Sequence, residues 1–179
     1  MPKSNLIRQI ESMYDEITTK EEWRRRFFDA YWVAVRSDDR STKNGVLLQH
    51  RNVTVCTGFN HFIDGYGDLP EHHERPLKYS LTEHAERDVI YKAARCGIYT
   101  SGATMVGHWV ACPDCARAIV EADIDRVVCH RQCMERTPER WEDMILLGLE
   151  ILKRGDVELV AYDGKVGIDN LNGGEIWRA

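Results

Sequence analysis

The sequence has no run of 18 or more apolar residues, so no membrane-spanning helix is expected. Its first residues, Met1-Pro2-Lys3-Ser4-Asn5, lack the apolar stretch of a secretory leader, which predicts a cytoplasmic chain. It has no basic run with interleaved aromatics. With a net charge of −5, that argues against gripping a nucleic-acid backbone. A small anionic substrate is still compatible, because a few local cations suffice. There is no internal repeat and no sign of a second domain. Without a leader, the six cysteines read as thiols and ligands rather than disulfides.

What is present is one domain's worth of chain, 179 residues with 43% apolar content. It is organised around Thr82-Glu83-His84-Ala85-Glu86 and, downstream, Cys112-Pro113-Asp114-Cys115. His84, Cys112 and Cys115 have the types and spacing of a three-ligand zinc site, which leaves a position open for water. Glu86 is too close in sequence to be an easy fourth ligand, yet it can reach a bound water. A lone histidine at a helix start is usually a satisfied polar residue, and a lone C-x-x-C is often a redox pair. Together, each opening a predicted helix, they form the H-x-E and C-x-x-C signature of zinc nucleobase deaminases.

Local signals support the placement. Ser80 and Glu83 form a capping box that predicts a helix from near Leu81 to Arg95, with Gly97 as its stop. Ala103 to Ala111 reads as a buried strand, and Pro113 suits the first position of the next helix. A helix N-terminus favours the thiolate that binds metal.

Leu6, Ile10, Met13, Tyr14 and Ile17 predict an extra amphipathic helix over residues 4–18, inside an added segment 1–19. A second helix is predicted from Lys20 to Val35, then a hairpin with strands at Val46–Gln49 and Val53–Phe59. Residues 60–79 read as a long loop. His72 and His73 lie there, but no complete second zinc set accompanies them. Strands at Arg126–Cys129 and Val157–Tyr162 flank a helix over Pro138–Lys153, and residues 163–179 read as an irregular tail. Cys129, His130 and Cys133 are not in a standard zinc spacing, so buried strand cysteines are expected there. Strands alternating with helices predict an α/β layered fold. It should have a mixed sheet of about five strands and helices on both faces.

Beyond the zinc signature, the chain resembles the deoxycytidylate (dCMP) deaminase family of the cytidine deaminase superfamily over about residues 22–162. Ser41-Thr42-Lys43-Asn44-Gly45-Val46 is similar to its S-T-K-V-G-A segment and Gly58-Phe59-Asn60 to its G-Y-N-G segment. Lys78-Tyr79 resembles its K-Y pair, and Cys112 to Ile119 its P-C-x-x-C-A-K-x-I. The resemblance implies a cytidine deaminase-like fold with one catalytic zinc per chain on His84, Cys112 and Cys115. Glu86 would carry a proton from the attacking water to the base while ammonia leaves, giving dUMP. It further implies substrate contacts by Asn60, Lys43, Lys78, Trp109 and Ala111, and a homo-oligomer, commonly a hexamer.

Ala111 stands where the family has proline. His61 and Ile63 depart from the segment tied to regulation by dCTP and dTTP, so that regulation, and any Mg2+ accompanying a nucleotide effector, is not carried over. Asp88 replaces an asparagine, and a carboxylate there is expected to repel a phosphate. Lys43, Arg75 and Lys78 are the candidate compensating cations. The alternatives keep the chemistry and change the substrate: cytidine, dCTP, a modified dCMP, a pyrimidine intermediate of riboflavin synthesis, or tRNA adenine. The acidic balance argues against the last. A zinc-stabilised, non-catalytic module is the other alternative, and the retained Glu86 argues against it.

Overall fold

Four apolar segments, Val46–Leu48, Met105–Val106, Val127–Cys129 and Leu159–Tyr162, are buried along their whole length. Segments that face neither side to water belong in the middle of a covered sheet. The computed structural model describes residues 8–63, 66–67 and 69–179, and places these segments at the centre of a six-stranded mixed sheet.

The chain runs β1 (Glu16–Thr18), α1 (Glu21–Ala34), β2 (Gly45–His50), β3 (Val53–Phe59), β4 (His61–Phe62), α2 (Leu77–Leu81), β5 (Thr82–Glu83) and α3 (Ala85–Arg95). It continues β6 (Thr104–Gly107), α4 (Pro113–Glu121), β7 (Arg126–His130), α5 (Arg131–Met134), α6 (Glu142–Arg154), β8 (Glu158–Tyr162), β9 (Asp169–Asn172) and β10 (Glu175–Arg178). The sheet order is β1-β8-β7-β6-β2-β3. The β1–β8, β8–β7 and β7–β6 pairs are parallel; β6–β2 and β2–β3 are antiparallel.

Alternation along the strands sorts two cores. Leu48, Met105, Cys129 and Leu159 pack under α3, α4 and α6. Leu47, Val106, Val128 and Val160 pack on the other face against Phe27 and Tyr31 of α1. The parallel pairs require crossovers, which α4 and α6 supply, and so Cys112 comes to lie where β6 hands over to α4. No helix among the described residues is long and apolar enough to cross a membrane.

Three local expectations are corrected. The helix predicted over 4–18 has residues 4–7 outside the described residues, and the rest is helical only over 8–11. Asp15 then pairs with Leu159 through both its backbone N–H and its carboxylate, so Glu16–Thr18 adds to the sheet as an edge strand beside β8. The capping box at Ser80 and Glu83 does not start α3. Thr82 and Glu83 pair with Phe62 and His61, and the helix starts at Ala85 with His84 as its N-cap. The tail is not irregular: β9 and β10 form an antiparallel hairpin on the α1 face, anchored by the buried Trp177.

Candidate active site

Two helix starts meet at one point. His84 caps α3 and Cys112 caps α4, both in extended conformation, with Pro113 at the first position of α4. The Nδ1 atom of His84 lies 3.5 Å from Cys112 Sγ and 3.5 Å from Cys115 Sγ. Nitrogen and sulfur ligands held tetrahedrally by zinc, at about 2.05 and 2.3 Å, stand about 3.6 Å apart. Two sulfurs and an imidazole are a soft donor set that suits zinc. Among the described residues this is the one group of three or more such side chains able to share an ion. It is no site for Mg2+, which takes oxygen ligands.

The electrostatics favour metal capture. The bond from Cys115 brings the Cys112 thiol down to about 4; burial opposes this and His84 assists it. Cys115 is pushed up by the same bond, by burial and by the Glu86 charge. The two sulfurs thus share a proton that a bound cation would displace. Burial works against the charged form of His84, but Cys112 and Glu86 outweigh it and raise its pKa. Glu86 points into the same space, 3.7 Å from Cys115 Sγ, and burial pushes its carboxyl above the usual range. Arg87 joins the two helix starts: it donates to Glu83 at 2.6 Å and lies 3.8 Å from Asp114.

His84, Glu86 and Cys112 line an open cleft. Trp109 lines it too, with its indole N–H donating to Thr137 at 3.0 Å. Asn60 and Lys78 are on its wall but committed elsewhere. Asn60 accepts from the Asn44 amide at 2.7 Å and donates to Thr42 O and Asp39 at 2.8 and 3.2 Å. Lys78 donates to Asp39 at 2.7 Å and Ser41 at 2.5 Å.

Lys43 and Ala111 are not among the lining residues. The Lys43 ammonium turns back to Val35 O at 3.2 Å and to Ser37 O, satisfying carbonyls at the end of α1. Ala111 is buried with its carbonyl against Gly148 of α6. Asp88 is not in the cleft either. It accepts from Lys92 at 2.5 Å, His61 at 3.2 Å and the Phe59 amide at 3.0 Å, so it opposes no bound anion there. Cys129 and His130 are buried in β7 and Cys133 in α5, and His130 is held by Tyr31 at 2.7 Å and Gly164 O at 2.9 Å.

Tyr79, Thr137, Arg140 and Trp141 line the cleft as well; of these, Trp141 lies in line with Ile145, Leu149 and Leu152 at helical spacing. Tyr79 and Trp141 meet edge to face, ring centres 5.2 Å apart, across the opening. Arg75 lies 6.0 Å from the Tyr79 ring centre. Among the described residues neither Arg75 nor Arg140 has an acidic partner.

A family model described as "Cytidine and deoxycytidylate deaminase zinc-binding region" matches residues 19–131. The chain belongs to this family of deaminases. This deaminase is 34% identical over 142 residues to the "Uncharacterized deaminase in luxG 3'region" of Aliivibrio fischeri, covering 76% of this chain and 91% of that one. It is 29% identical over 126 residues to the "Deoxycytidylate deaminase" of Enterobacteria phage T2, covering 65% of this chain and 66% of the relative. The crystal structure of dCMP deaminase from the cyanophage S-TIM5, in complex with dCMP and dUMP, shares its fold. The TM-score is 0.60 at 19% identity, over 80% of this chain and 99% of that one.

Proposed function

We propose that this deaminase converts dCMP and water to dUMP and ammonia, as a single zinc-dependent domain with His84, Cys112 and Cys115 as ligands. One observation carries the reading: the cleft that has Glu86 and the His/Cys/Cys group on its floor has two exposed guanidiniums on its wall, Arg75 and Arg140, that no described acidic residue pairs. A guanidinium suits a phosphate, since its fork of N–H donors matches the oxygens. The base would then sit on the floor with its 5′-phosphate toward the guanidiniums.

Zinc, when bound, supplies a Lewis acid that brings the pKa of water to about 7. Glu86 does the proton work. Burial raises its pKa, the direction that suits a group that both takes and gives a proton. It accepts a proton from the attacking water and delivers it to N3 of the cytosine ring as the water oxygen bonds to C4. It then takes the remaining proton of that oxygen and gives it to N4, so the C4–N4 bond breaks, ammonia leaves and C4 keeps a carbonyl.

The test is loss of cytosine absorbance with dCMP, deoxycytidine and dCTP, using zinc-loaded wild type, Glu86→Ala and Arg140→Ala. Turnover of dCMP well above the other two, lost in Glu86→Ala and weakened in Arg140→Ala, is expected. Deoxycytidine turned over as well as dCMP would overturn the assignment of the phosphate.

Assembly and location are read the same way. Phe28, Trp32 and Val35 form an exposed apolar stripe on one side of α1, which supports a homo-oligomer, a hexamer by family resemblance. A monomer mass by equilibrium sedimentation would sink this. The unpaired cysteines support a reducing, cytoplasmic setting.

A further inference from the structure

Free hydrogen-bonding groups are unevenly supplied around the cleft. Asn60 has both amide hydrogens in use, and Lys78 is held by Asp39 and Ser41. The side-chain amides of Asn44 and Asn172 line the cleft and are bonded to no described residue. Asn172 is at the tip of the β9–β10 hairpin, outside the residues that the family model matches.

The hairpin is seated firmly enough to place a side chain. The Lys43 amide donates to Leu171 O at 2.9 Å and the Gly174 amide to Ser41 O at 2.7 Å. The Gly173 amide donates to Thr42 Oγ1 at 3.2 Å, and Asn170 Nδ2 to Lys43 O at 3.2 Å. Gly173 and Gly174 have φ of +64° and +89°, the left-handed values that a two-residue hairpin turn requires. The turn therefore delivers Asn172 to the wall segment 42–44 in a set orientation.

Three chemistries line the cleft. The floor has the acid/base and ligand groups, and one part of the wall has the guanidiniums. The wall between Thr42, Asn44 and Asn172 is neutral and polar. With base and phosphate assigned to the first two, the sugar is left to the third. The deoxyribose of a 5′-monophosphate has one free hydroxyl, at C3′, and an amide can both donate to it and accept from it.

We propose that Asn172 is a specificity-determining residue that binds the 3′-hydroxyl of the nucleotide, so that the C-terminal hairpin is part of the substrate site. The proposal rests on the nucleotide reading above. The test measures binding rather than turnover: calorimetric titration of the zinc-loaded full chain with dUMP and with 2′,3′-dideoxy-UMP, which lacks that hydroxyl. Wild type is compared with Asn172→Ala and with Ile176→Ser, an exposed position on the hairpin's opposite face.

Asn172→Ala is expected to weaken dUMP about three- to tenfold, the loss of one neutral hydrogen bond, and to leave the dideoxy analogue unchanged. Ile176→Ser should change neither. Equal dUMP affinity in wild type and Asn172→Ala, equal losses on both ligands, or no dUMP binding by wild type would each overturn the proposal. Turnover of dCMP by the same wild-type preparation is read separately. Binding of dUMP without turnover would sink the deamination of dCMP while leaving the hairpin assignment standing.

Discussion

Lys78 donates to Asp39 across 2.7 Å with both side chains almost out of water, so its charge is spent inside the wall rather than offered to the cleft. A buried pair loses far more from the removal of one partner than it gains by existing. Lys78→Met is therefore expected to cost about 3–5 kcal/mol in urea unfolding at pH 7. In the wild type, burial acts upward on the Asp39 carboxyl, but the bonds from Lys78 and the Ser41 amide hold it below its usual range. The stability it contributes is thus full above the unfolded value near 3.9 and lost as pH falls through the folded value. In Lys78→Met the amides of Ser41 and Thr42 and the Asn60 side chain still donate to Asp39, so the carboxyl loses the lysine's share of the lowering and its pKa moves upward. The acid-side loss of stability should therefore be shallower in the variant than in the wild type, and an equally steep loss would contradict the pairing.

Glu86→Gln keeps the shape of the cleft floor and removes the proton carrier. Turnover should fall about 10²–10⁴-fold with zinc content unchanged by metal analysis. Activity within tenfold of wild type would assign the proton transfer to another group.

Gly148 lets α6 lie directly on the segment that leads into Cys112. A Cβ there would overlap the Ala111 carbonyl oxygen. Gly148→Ala should cost about 1–3 kcal/mol, as overpacking does, and part of the strain should reach Cys112. Denaturation and a zinc competition titration check the two effects. Unchanged zinc affinity alongside lost stability would confine the strain to α6.

His108 is buried and stacks on Tyr31 with ring centres 3.7 Å apart. Burial and the neighbouring His130 bring its pKa down to about 3. The unfolded chain takes up that proton near pH 6.5, so stability is full above this value and falls as pH drops from it toward 3. At pH 5 the loss from this one group is about 2 kcal/mol relative to pH 8. His108→Phe should flatten that part of the stability profile; an equally steep variant would place the effect elsewhere.

The cluster of His84, Cys112 and Cys115 was legible because each residue sits at a helix start, where spacing alone sets direction. The central strands were legible because burial on both faces leaves unbroken apolar runs. Asp88 could have been placed better. At about 100° per residue it is turned some 200° from Glu86, to the far side of α3. The Lys43 ammonium is claimed by carbonyls at the end of α1, which nothing in its sequence neighbours shows. β1 was hidden because an edge strand of three residues is made by backbone pairing through Asp15, which leaves no pattern in the side chains. Arg140 and Asn172 lie on a short turn and a hairpin tip, where no period marks which side chains face the cleft.

The edge-to-face contact of Tyr79 with Trp141 has a kinetic side. Such a pair contributes about 0.5–1.5 kcal/mol. Parting the rings forfeits that energy together with the apolar area they share, so the joined form holds most of the population, and a nucleotide that has to pass between them would wait on the minority form.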